Sequence, residues 1–146
     1  MSQMDVKQLR KALESAGLEV FRVRGDEIHL AVRQNVQMME ARVQVRAGAS
    51  PRVMVATWSQ RSDAPQWSDD QLFALVRDRA AALRAAGYDE LGHERREIRS
   101  VSDESQVLDV WFEVSFARAV ESLDEATAEA LRVIAFERYV VASRQS

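Results

Sequence analysis

The chain has 146 residues, no cysteine and a formal net charge of −3 at pH 7. This length predicts one domain over residues 1–146, with a core large enough to fold without cross-links, and the lack of cysteine excludes disulfides, iron–sulfur clusters and cysteine nucleophiles. No uncharged apolar stretch reaches the roughly 20 residues of a membrane helix, and the charges near the start predict a cytoplasmic protein without a secretory signal.

The first half of the chain predicts one helix followed by four strands. Apolar residues at helical spacing indicate a helix from about Met4 to Ala16, which Gly17 ends. The period then changes to two, and Arg24-Gly25-Asp26 turns the first strand of a hairpin into the second. Two further alternating runs, around residues 39–47 and 53–58, predict antiparallel strands with one solvated face.

The second half opens with a strong helix-start signal. Ser68 is followed three residues later by Gln71, a capping box that predicts a helix from Asp69 to about Ala86. Three further elements are predicted: strands over residues 90–99 and 107–116, and a helix from Ser122 to about Val141. The sequence therefore predicts an α+β fold, an antiparallel sheet of about five to six strands with three helices, in the order α-β-β-β-β-α-β-β-α.

The last predicted strand gives the clearest core assignment. Five alternating apolar residues are expected to face the core: Leu108, Val110, Phe112, Val114 and Phe116. Trp111 interrupts the polar face of this strand. The two histidines, His29 and His93, are expected to be exposed on strands.

Motifs for catalysis or metal binding are not recognisable. With five glycines and no G-x-S-x-G elbow, the chain cannot form a phosphate loop or a nucleophile elbow of known type. The spacing of the two histidines identifies no third metal ligand. We therefore predict no catalytic residue, cofactor or metal, and enzymatic activity is disfavoured, although a site assembled from distant residues leaves no local motif.

Surplus apolar side chains point instead to a partner. Trp58 and Trp111 lie on strands opposite the regular apolar face, and the last helix is apolar on more than one stripe. The predicted partner-binding residues are Trp58, Trp111, Leu131, Ile134 and Val141. They predict a homodimer or a complex with a protein or peptide. The dispersed arginines and the acidic balance argue against nucleic acid, and no membrane partner is expected.

The element order, the small size and the acidic balance resemble the type III secretion chaperone-like fold, which secretion chaperones share with bacterial sensory-regulator-like proteins. The resemblance implies a homodimer that binds an unfolded segment of another protein along a helix-and-sheet surface. The predicted function is therefore a non-enzymatic protein-binding or chaperone-like module. The alternative is a small-molecule-binding or enzymatic α+β domain with an apolar pocket between sheet and helix.

Overall fold

The computed structural model describes the backbone of residues 3–145, and the side chains of that range apart from Gln34 and residues 136–145. It has the predicted α+β fold, with an antiparallel sheet in the order β1-β2-β3-β4-β6-β5. The strands are β1 Glu19–Arg24, β2 Glu27–Gln34, β3 Gln37–Arg46, β4 Arg52–Gln60, β5 Asp89–Arg99 and β6 Val107–Ala119. The helices are α1 Val6–Ser15, α2 Asp69–Arg79, α3 Ala81–Ala85 and α4 Leu123–Gln145.

The prediction of three helices was wrong, because the second predicted helix is divided in two at Ala80. The backbone N–H of Ala80 donates to the carbonyls of both Val76 and Arg77 at 3.1 Å, which tightens the turn toward 3₁₀ geometry. The backbone angles of Ala80, φ −90° and ψ 7°, lie outside the helical region. The order along the chain is therefore α-β-β-β-β-α-α-β-β-α.

The chain forms two compact units, neither of them continuous in sequence. The first unit comprises Met1–Val55 and Ala117–Tyr139, and the second comprises Ala56–Phe116 and Val140–Ser146. The single domain that the length predicts stays a prediction.

The core of the first unit lies on one face of its strands, which we call the inner face. Leu9 and Leu13 of α1 are fully buried there. The other buried apolar residues include Ile28, Leu30, Val43, Val45, Val53 and Val55 from the strands, with Ala126, Ala130, Val133 and Ile134 from α4. The alternation of β3 and β4 places their charged residues on the opposite, outer face.

The β2–β3 hairpin of the first unit has a strained turn. Gln34 pairs with Gln37, so that Asn35 and Val36 form a two-residue loop. Their φ angles are +52° and +62°, as a type I′ turn requires at both positions. Asparagine tolerates this left-handed conformation, whereas it is a genuine outlier for the β-branched Val36.

The core of the second unit joins α2 to β6. Leu72, Val110 and Phe112 form a buried cluster, with Ala64 and Phe73 packed against it. Val114 and Phe116 are also buried, which confirms four of the five predicted core residues of this strand. The prediction for Leu108 was wrong: 59% of it is exposed, because it lies one pleat beyond the cluster with α2.

The helix ends follow the local signals in the sequence. Ser68 Oγ accepts a hydrogen bond from the N–H of Gln71 at 3.2 Å, and the side chain of Gln71 accepts one from the N–H of Ser68 at 2.8 Å. This confirms the predicted capping box. Ser122 caps α4 by accepting from the N–H of Glu125 at 3.0 Å. Within the described residues, no helix combines the length and apolar character needed to cross a bilayer.

Candidate functional site

The five predicted partner-binding residues differ in accessibility. Trp58 and Ile134 are buried, with 7% and 3% of their surfaces exposed. Trp111 is half-buried, and Leu131 is 42% exposed. The side chain of Val141 lies outside the described residues. Trp111 and Leu131 are therefore the members of this set that a partner can reach.

In the second unit, the two strand tryptophans form one aromatic pair. Trp58 of β4 and Trp111 of β6 lie on neighbouring strands, with ring centroids 5.6 Å apart and ring planes 17° from parallel. Each ring thus covers part of the other. Because offset stacking of this kind stabilises buried aromatic pairs, the pair has a structural role whether or not a partner binds.

Polar groups of the same unit surround Trp111. Ser62 donates to Asp109 through its backbone N–H at 3.2 Å and through its hydroxyl at 2.6 Å. In the amide orientation that satisfies both ends of Gln60, its oxygen accepts from Trp111 Nε1 at 3.3 Å and its nitrogen donates to Asp109 at 3.0 Å. This network holds the indole of Trp111 in place.

The apolar residues of α4 differ from the expectation in which of them are buried and which are exposed. Ile134, predicted with Leu131 to bind a partner, is instead buried like Val133 beside it. The buried stripe of α4 is therefore broader than the sequence suggests. Leu131 lies outside it on the exposed side of the helix.

A group of exposed apolar residues that the sequence reasoning missed lies at the end of the β2–β3 hairpin. We call Val36, Met38 and Met39 the hairpin tip; they are 93%, 44% and 44% exposed. Two consecutive methionines in a strand cannot both face the core, because successive side chains point to opposite faces. The adjacent pair Met38-Met39 was therefore the feature of the sequence that could have revealed an exposed apolar side chain here.

His29, expected to be exposed, is instead buried on the outer face of the first unit with 6% of its surface exposed. Its Nε2 lies 3.7 Å from a carboxylate oxygen of Glu27, and its Nδ1 lies 3.7 Å from one of Glu40. Arg46 donates to Glu27, and Arg22 lies 2.9 Å from Glu40. Two arginine–glutamate pairs therefore enclose the imidazole. His93, by contrast, is exposed as expected.

A cleft of about 720 Å³ opens on the first unit where the start of α1 meets the start of α4. Three chain segments contribute to its lining, with residues 3–5 and 8 from the first, 48, 49 and 51 from the second, and 120–123 from the third. It lies beside the helix starts, whereas the sequence-based alternative placed an apolar pocket between sheet and helix. Its lining mixes polar side chains, such as Gln8, with apolar ones, such as Leu123.

The described residues include no group of three or more histidine, aspartate or glutamate side chains that could hold a metal ion. The chain matches no protein-family model, no curated protein and no solved structure.

Proposed function

We propose that the protein is a non-enzymatic protein-binding module of chaperone-like type, and that it forms a homodimer. The observation that carries this proposal is the hairpin tip. Val36 is almost fully exposed although its side chain is apolar, and its backbone is in the left-handed region. A strained, exposed and apolar residue destabilises the free chain, so a binding role explains it better than folding does.

The neighbouring methionines support the same proposal. The side chains of Met38 and Met39 are flexible and polarizable, so they can adapt to contact surfaces of different shape. Leu131, in the same unit, is a further exposed apolar residue. The chaperone-like part of the proposal rests on element order, size and acidity. The location that goes with it is the cytoplasm, and it stays a prediction.

The test uses a substitution that separates binding from stability. Val36→Asn suits a left-handed turn position and removes the apolar contact, so it should raise the stability of the free chain by about 0.4–1 kcal/mol while weakening association. Val101→Asn is the matched control, because Val101 is fully exposed but has no positive φ angle. It should change neither property.

Light scattering after size-exclusion chromatography should give twice the 16.5 kDa chain mass for the wild type at micromolar concentration. Val36→Asn should shift the mass toward one chain, and Val101→Asn should not. A wild-type monomer at the highest concentration that also fails to suppress aggregation of an unfolded test protein would refute the proposal.

Small-molecule binding is the second candidate, and the cleft favours it. Its volume of about 720 Å³ is within the range of about 300–1,000 Å³ for ligand sites. Gln8→Trp, an exposed position on α1 that lines the cleft, should fill it without touching the hairpin tip. Fragments that raise the melting temperature of the wild type but not of Gln8→Trp would support this candidate. If the fragments raised the melting temperatures of both proteins equally, the cleft would be excluded as their binding site.

A further inference from the structure

Four charged residues form a continuous row across β1–β4 on the outer face of the first unit. The strand register pairs Arg24 with Glu27, Glu27 with Arg46, and Arg46 with Arg52. Residues paired in this way point to the same face, with Cβ atoms about 4.5–5.5 Å apart. We call these residues the arginine row. It places three guanidinium groups beside one carboxylate.

The single carboxylate of the arginine row is already engaged. The hydrogen bond from Arg46 lowers the pKa of Glu27 below its ordinary value. Burial opposes this effect, and the charges of Arg46, His29 and Arg52 reinforce it. Several cations therefore act on Glu27, and the local potential favours negative charge.

Arg46 and Arg52 are an unfavourable pair in the absence of another anion. Like charges directly opposite each other on neighbouring strands destabilise a sheet. The Nε of Arg52 is also buried and has no hydrogen-bond acceptor among the described residues. A buried donor without an acceptor costs free energy, so an ion that supplies one would stabilise the site.

The excess of positive over negative side chains extends over the rest of the outer face. Glu19 accepts from Arg33 at 2.8 Å, and Glu40 lies 2.9 Å from Arg22, so each of these glutamates has its own arginine. The register and the alternation of β3 place six arginines and three glutamates on this face: Arg22, Arg24, Arg33, Arg42, Arg46 and Arg52, with Glu19, Glu27 and Glu40. The face thus carries three excess positive charges, whereas the chain as a whole carries −3.

A cleft of about 430 Å³ opens beside the arginine row. Arg24, Arg46, Asp26 and Glu27 line it, together with residues 47, 49 and 50. The two acidic groups would repel a long polyanion lying across them. The size of the cleft and this mixed lining favour a small anion over a nucleic acid strand.

We propose that the arginine row binds a small oxyanion, a phosphate or carboxylate group, between the guanidinium groups of Arg46, which lines this cleft, and Arg52 on the neighbouring strand. Arg24, two strands from Arg46, adds to the positive potential. Guanidinium groups present a planar fork of donors that matches either oxyanion, often by two parallel hydrogen bonds. The bound anion separates the like charges and gives the buried Nε of Arg52 an acceptor. The inference is independent of the protein-binding proposal, because it involves neither the hairpin tip nor α4.

The test titrates the full chain with inorganic phosphate and, separately, with citrate, by calorimetry in Tris buffer. Sodium chloride of equal ionic strength is the reference for unspecific screening. Arg52→Gln removes one guanidinium of the arginine row. Arg10→Gln is the matched control, since it removes the same charge from an exposed ion pair with Glu14 on α1.

Arg52→Gln should weaken binding by roughly tenfold or more, as loss of a charge-assisted hydrogen bond predicts, and Arg10→Gln should not. Without added anion, Arg52→Gln should unfold at the same temperature as the wild type or higher, because it removes the repulsion from Arg46. If Arg52 had a purely structural role, Arg52→Gln would instead unfold at a lower temperature than the wild type. If Arg52→Gln does not fold, Arg24→Gln is titrated in its place. Arg24 is exposed, and its loss should also weaken binding of the anion.

The two titrations also distinguish the sources of the oxyanion. Binding of phosphate alone assigns the site to phosphoryl groups, and binding of citrate alone assigns it to carboxylates. Mutual competition assigns both to the same site. Heats no larger than those with chloride, or an equal loss of binding in Arg10→Gln, would overturn the proposal.

Discussion

The replacement of Phe112 is the strongest test of how the second unit is held together. Phe112 is fully buried, and its ring meets that of Phe73 edge to face, with centroids 5.2 Å apart and planes at 84°. The guanidinium of Arg61 lies 5.0 Å from the same ring centroid. Phe112→Ala loses these contacts and leaves a cavity beside Leu72, so we expect a loss of about 3–5 kcal/mol in the free energy of unfolding. Phe112→Leu keeps much of the apolar volume and should lose about 1–2 kcal/mol.

Urea unfolding measures these losses by circular dichroism and by tryptophan fluorescence. Leu108→Ala is the matched control on the same strand, because Leu108 is mostly exposed and should change stability by less than about 1 kcal/mol. Combining Phe112→Leu with Phe73→Leu in a double-mutant cycle should give a coupling energy of about 0.5–1.5 kcal/mol for the ring pair.

Two results would contradict this reasoning. If Leu108→Ala cost as much as Phe112→Ala, the assignment of faces on β6 would be inverted. If the double-mutant cycle gave no coupling, the edge-to-face contact of Phe73 and Phe112 would not contribute to stability, and the loss would come from burial alone.

Three further expectations concern the caps, the ion pairs and the cooperativity of the fold. Ser68→Ala should lower the free energy of unfolding by about 0.5–2 kcal/mol, whereas Ser68→Asp, which can also cap α2, should retain it; equal urea midpoints for the two variants would contradict the cap. The hydrogen bond from Arg46 lowers the pKa of Glu27 in the folded protein. Glu27 therefore stabilises the fold at pH values above its unfolded pKa of about 4.5, and this stabilisation is lost as the pH falls through its folded pKa. Arg46→Gln should reduce this loss of stability in acid, which unfolding measured at a series of pH values would detect. All three tryptophans lie in the second unit, so fluorescence reports on that unit alone, and coincident fluorescence and circular dichroism transitions are expected if the chain is one cooperative domain.

The sequence by itself determined the features that depend on neighbours within a few residues. The capping box of Ser68 and Gln71 specifies its own hydrogen bonds, so the start of α2 could be read directly. The alternation of apolar and polar residues assigned the faces of β3 and β6 correctly over most of their length. This assignment requires only that one face of the strand is buried, because side chains then alternate between core and solvent. The Gly25 turn of the first hairpin also followed from local chemistry, and its φ of +56° is one that glycine adopts without strain.

Tertiary structure decided whatever depends on how far one element covers another and on which residues are paired. Leu108 has the same local pattern as Val110, but it is exposed because the contact with α2 ends one pleat earlier. His29 is buried because charged neighbours from β1 and β3 lie over it, which alternation along β2 alone cannot reveal. The arginine row likewise exists only through register. Arg24 and Arg52 are far apart in sequence, and shifting any one strand by a single residue would move its charge to the opposite face.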